Sequence, residues 1–101
     1  VAAYPVARIE EIPEGRGRVV VAGERTVAVF RRGERVFALG NDCVHNGGPL
    51  GEGEVDDGYV TCPWHGWRYD LETGTSPLNP TVRVPTFAAW VADGTVWVEV
   101  P

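Results

Sequence analysis

Cys43-Val44-His45-Asn46-Gly47-Gly48-Pro49-Leu50 and Cys62-Pro63-Trp64-His65-Gly66-Trp67 decide how this chain is read. The protein has two cysteines and two histidines, and all four lie in these two stretches. Each stretch pairs one thiolate with one imidazole, set among glycine and proline. Four soft or borderline ligands in two short pairs are the pattern of a bound metal centre. Two identities compete. A structural zinc site usually sets Cys with Cys and His with His. Here both pairs are mixed, C-x-H and C-x2-H, so each loop can give one ligand to each iron of a 2Fe–2S cluster. The glycines allow close backbone approach, and their N–H groups can point at negatively charged sulfides. A disulfide between Cys43 and Cys62 would leave both histidines unexplained.

The double motif, with Gly48-Pro49-Leu50 after the first pair and Cys62-Pro63-Trp64-His65-Gly66-Trp67 at the second, resembles that of the Rieske 2Fe–2S proteins. The resemblance is to the soluble members, the oxygenase ferredoxins and the nitrite reductase small subunits. It implies one 2Fe–2S cluster, with Cys43 and Cys62 on the inner iron and His45 and His65 on the outer iron through Nδ1. It also implies an all-β fold, an antiparallel β sandwich or small barrel, with a cluster-binding subdomain of two ligand loops. Residues 1–101 then form a single domain whose cluster-binding part spans about 41–80. Pro49, Leu50, Trp64, Trp67 and Tyr69 are expected to shield the cluster, as is Pro77 in a proline loop over its third side. Two positions depart from the common pattern. Val44 stands where Pro or Thr is frequent, and Asn46 where a basic residue is frequent.

The flanks agree with a β fold. Val19-Val20-Val21, Thr26-Val27-Ala28-Val29-Phe30-Arg31 and Arg35-Val36-Phe37-Ala38-Leu39 are short β-rich runs broken at Gly23-Glu24, Gly33-Glu34 and Gly40-Asn41. Phe87–Val91 and Thr95–Val100 flank Asp93-Gly94, a strong hairpin signal. Tyr4–Ala7 reads as a short extended piece. Arg8–Ile12 reads as one helical turn whose Ile9 and Ile12 cap the core. Arg31, Arg32 and Arg35 crowd one turn and read as a solvated hairpin tip. Glu52, Glu54, Asp56 and Asp57 read as a second solvated tip, with an acidic docking rim as the alternative.

Composition narrows the function. A net charge of −5 makes nucleic acid a poor partner. A basic protein surface suits it better, because complementary fields speed transient encounters. No apolar run approaches the roughly 18 residues that span a bilayer. No secretory leader is visible at Val1–Pro5, and a cluster that uses both cysteines leaves no disulfide. A cytoplasmic location is therefore expected.

Two ferric ions, two sulfides and two thiolates sum to zero charge, so such a site accepts an electron more readily than a four-thiolate cluster does. High-potential family members carry a second cysteine pair and a Ser hydroxyl aimed at a sulfide, just after the second His-Gly. This chain has only two cysteines, and Trp67 follows Gly66. The lower half of the range of about −150 to +300 mV is expected.

With the full ligand set present on both irons, no open coordination position is expected for a substrate, so the chain reads as a carrier and not an enzyme. The expected partners are a flavoprotein reductase as donor and a terminal oxygenase as acceptor. Alternatives are a small subunit docked to the large subunit of an NAD(P)H-dependent nitrite reductase, and a non-redox zinc module.

Overall fold

Runs of β-branched residues cut by two-residue turns become hairpins throughout the chain, in a computed structural model that describes residues 1–42, 48–64 and 66–101. The strands are β1 (Ala2–Arg8), β2 (Gly17–Ala22), β3 (Arg25–Arg32), β4 (Arg35–Gly40), β5 (Glu54–Asp56), β6 (Tyr59–Thr61), β7 (Arg68–Asp70), β8 (Thr86–Ala92) and β9 (Thr95–Val100). Single 3-10 turns occupy Ile9–Glu11 and Leu50–Glu52. A six-stranded antiparallel sheet runs β1-β9-β8-β4-β3-β2, and a three-stranded one runs β5-β6-β7.

The turns follow from the residues in them. Asp57-Gly58 and Asp93-Gly94 have positive φ at both positions, 53° and 83° in the first and 52° and 75° in the second. That is the type I′ requirement, which matches the twist of the strands it joins. Gly23-Glu24 and Gly33-Glu34 join β2 to β3 and β3 to β4, as the sequence predicts. At the sheet edge, Pro5 of β1 lacks a donor, and the β1–β9 register slips between Pro5 and Ala7. The outer strands β1 and β2 approach each other. The Tyr4 ring lies against the Gly23 turn, and Arg18 faces Glu11 at 3.7 Å, which nearly closes the sheet into a barrel.

β3 and β4 are buried on both faces, and this sets the architecture. Val27, Val29, Val36 and Ala38 point into the barrel with Val20, Ile12, Val96 and Val98. Ala28, Phe30, Phe37 and Leu39 point the other way, against Leu50, Val60, Cys62, Tyr69, Leu71 and Val84. Strands apolar on both faces need a layer on each side. The three-stranded sheet and its loops are the second layer, and Cys62 belongs to it.

The 3-10 turn at Ile9–Glu11 realises the expected helical turn, with Ile12 fully buried and Ile9 packed beside it. The expectation of a solvated arginine tip holds for Arg32 and Arg35, both exposed, and needs correction for Arg31. The Arg31 guanidinium is not solvated at a tip. It donates to the carbonyls of Ile9 and Ile12 at 3.3 Å each and to Gly33 O at 2.8 Å, tying β3 to that turn. Arg35 lies over the Phe37 ring at 4.8 Å and pairs with Glu72 at 3.2 Å.

Candidate metal centre

Both candidate ligand loops leave the ends of strands and are pinned at the neck. The first follows β4. Asn41, 8% exposed, accepts the Leu50 N–H at its backbone oxygen (2.7 Å) and the Gly51 N–H at Oδ1 (2.9 Å). Asp42 and Pro49 pair in an antiparallel bridge, so the two ends of the segment carrying Cys43 and His45 stand side by side. The second loop is the turn between β6 and β7. Thr61 pairs with Arg68, and the Cys62 N–H donates to the Trp67 oxygen at 2.7 Å.

Cys43, His45 and His65, together with Val44, Asn46 and Gly47, lie outside the described residues. Cys62 is described and is 1% exposed, in the layer that holds Leu50 and Tyr69. Its sulfur meets the first loop at Gly48, where a Cβ would stand 2.8 Å from Cys62 Sγ. The same Cβ would stand 3.1 Å from Cβ and Cδ2 of Trp64. The two loops therefore converge on the Cys62 thiol, with a cradle there that even a methyl group would fill. A buried thiol three residues before His65, set against Gly48, which follows Cys43 by five residues and His45 by three, fits a sulfur-ligated cluster.

The six expected shielding residues divide by exposure. Leu50 and Tyr69 are fully buried, and Trp67 packs against the same cluster. Pro49 is half-buried. Trp64 is 51% exposed, so it is no core aromatic, and Pro77 is exposed. Ser76, Pro77, Leu78 and Asn79 face Gly66, Trp67 and Arg68 across a groove of about 430 Å³. The proline loop thus lies alongside the residues that immediately follow His65. Bonds from Ser76 N to Val82 O and from Val82 N to Asn79 O, each 2.9 Å, hold it in shape.

The four acidic residues are all exposed but occupy two places. Asp56 and Asp57 sit at the β5–β6 turn. Glu52 and Glu54 instead flank a groove shared with Arg16, Cys62, Pro63 and Gly66, next to the second loop. Sequence reasoning treated them as one group. It also missed Asn41, since Gly40-Asn41 reads simply as a turn, and nothing in the sequence marks the amide as buried.

Comparison with known proteins agrees with this geometry. The Rieske [2Fe-2S] domain pattern matches residues 2–88. The anthranilate 1,2-dioxygenase ferredoxin subunit of Burkholderia cepacia is 38% identical over 100 residues, covering 96% of this chain and 91% of that protein. Among solved structures, one assigned as an NADH-dependent nitrite reductase small subunit from Mycobacterium tuberculosis superposes with a TM-score of 0.91 at 27% identity, covering 99% of this chain and 96% of that one. Another match comes from a complex of reduced oxygenase and oxidised ferredoxin in carbazole 1,9a-dioxygenase. It has a TM-score of 0.82 at 30% identity, covering 95% of this chain and 91% of that chain.

Proposed function

This chain belongs to the Rieske [2Fe-2S] domain family, and from that premise we propose that it carries single electrons to a terminal oxygenase. The cofactor is one Rieske-type 2Fe–2S cluster, which sets aside the zinc alternative. The observation that carries the oxygenase reading is near full-length similarity to a dioxygenase ferredoxin subunit, at 38% identity. The ligand assignment is part of the proposal: Cys43 and Cys62 to one iron, His45 and His65 to the other. So are a single domain over 1–101, a flavoprotein reductase as electron donor and a cytoplasmic location. Among the described residues no helix is long and apolar enough to cross a membrane.

When bound, the cluster accepts and returns one electron at a time. The chain's own residues set the conditions for that exchange. Burial of Cys62 among Leu50, Val60 and Tyr69 keeps water from the sulfur, so fixed protein dipoles and not mobile solvent determine the local field. The bond from Cys62 N–H to Trp67 O and the Asn41 clasp hold the loops before any electron arrives, which limits rearrangement during transfer. Cys43, Cys62, His45 and His65 would complete the irons' ligand sets together with the cluster's own sulfides, so no position would stay open for a substrate.

Iron and acid-labile sulfide assays with an EPR spectrum of the reduced protein test the cofactor. Two irons and two sulfides per chain are expected, and one zinc without sulfide would refute the reading. Cys62→Ser should lose most of the cluster. The nitrite reductase small-subunit reading is kept because of the structural match at 27% identity. Capture of an oxygenase by the tagged holoprotein supports the first reading, whereas stable co-purification with a sirohaem protein supports the second.

A further inference from the structure

Position 48 is where the two loops touch, and it has no side chain. Gly48 is buried, and two neighbours of different kinds face its Cα. One is the Cys62 sulfur, in a layer closed by Leu50, Val60 and Tyr69. The other is Trp64, which reaches over from the solvent side and is half exposed. A Cβ here would lie 2.8 Å from the sulfur, closer than side-chain carbons pack, so something would have to move. The half-exposed indole can turn outward into water, although Trp64 Cβ, 3.1 Å from the same point, is fixed to its backbone. The sulfur cannot turn away, because its backbone N–H is fixed to Trp67 O at 2.7 Å and Cys62 is enclosed by the core.

We propose that Gly48 is a positioning residue for the Cys62 sulfur: by presenting no side chain, it lets the first loop lie directly against the thiolate and sets where that ligand stands. Trp64 covers the contact and excludes water, but does not determine the sulfur's place. This rests on the reading of Cys62 as a cluster ligand. A displaced thiolate changes the iron–sulfur geometry and the hydrogen bonding around the sulfur, and both tune a cluster's potential.

The test uses the cluster-loaded full chain. Iron and sulfide content of the wild type comes first, since its failure would refute the ligand reading and not the role of Gly48. Midpoint potential and the g values of the reduced protein are then measured for Gly48→Ala, Trp64→Ala and the double variant, with circular dichroism for folding. Gly48→Ala should stay folded while its potential and g values shift, or while it loses half or more of its cluster. Trp64→Ala should move the potential less and leave the g values near those of the wild type. The double variant should keep the Gly48→Ala signature, because Trp64→Ala takes away only the indole and leaves the closer sulfur contact, at 2.8 Å, in place. Unchanged potential and g values in Gly48→Ala would overturn the proposal. So would a double variant indistinguishable from Trp64→Ala, which would make the indole the obstacle. A chain that fails to fold with alanine at 48 in either background also overturns it, because Gly48 would then serve the fold and not the ligand.

Discussion

Asn41 fastens the first loop with one buried amide. Its Oδ1 accepts the Gly51 N–H, which has nowhere else to turn once the side chain is removed. Asn41→Ala is expected to lower stability by about 1–3 kcal/mol, the usual consequence of orphaning a buried donor. Asn41→Asp keeps the acceptor but buries a carboxylate, so it should also destabilise at neutral pH and recover as acid protonates it; thermal denaturation across pH compares the two. Leu50, fully buried beside Cys62, tests the packing behind the site. Leu50→Ala should destabilise by about 2–5 kcal/mol. Cys62 could be picked out in the sequence because thiolates spaced with imidazoles have few other uses. Asn41 and Gly48 could not, because their importance lies in which distant atoms they meet, and the chain records no such distances.

At the level of elements, β3 and β4 contrast with β2. Phe30 is fully buried on the face toward the metal centre, whereas Val21 on the neighbouring strand is 66% exposed. Phe30→Ala should cost about 3–5 kcal/mol. Val21→Thr should change the denaturation midpoint hardly at all, although both residues sit in equally regular strands. The strands were legible from β-branched runs and their glycine turns. The face each strand buries was less so, because β3 and β4 read as continuous apolar runs with no polar side to orient them. The 3-10 turn carries a pH signature. Glu10's carboxyl is held below the ordinary carboxylate range, first by its own backbone N–H and then by the Arg8 guanidinium at 3.3 Å. A depressed folded pKa means that the contribution is complete above the ordinary carboxylate value and fades as pH falls through the lowered one. The difference in melting temperature between wild type and Glu10→Gln should therefore shrink from pH 7 toward pH 3. It should be small throughout, because the group is fully exposed.

For the whole molecule, charge and shape act together. The net charge is −5, and Glu52 and Glu54 border the groove beside the second loop. Encounter with a basic partner surface should thus be electrostatically steered. The second-order rate of electron delivery to an oxygenase, followed by stopped flow, is expected to fall as salt rises. Glu52→Gln with Glu54→Gln should flatten that dependence, and a rate indifferent to salt would refute steering. The overall fold class was readable from the motif and the hairpin spacing together. The division of the acidic residues between two places was not, because it depends on how the β5–β6 hairpin folds back beside Arg16.

Because β3 and β4 are sandwiched between two apolar layers, neither layer can come apart without stripping the same pair of strands. Deuterium should enter the amides of β1 and β2, each at a sheet edge, well before those of β3 and β4, which exchange only when the entire chain opens. Cys62 is buried in the second of those layers, so an oxidant in the surrounding water should reach its sulfur only as fast as that layer parts from β3 and β4.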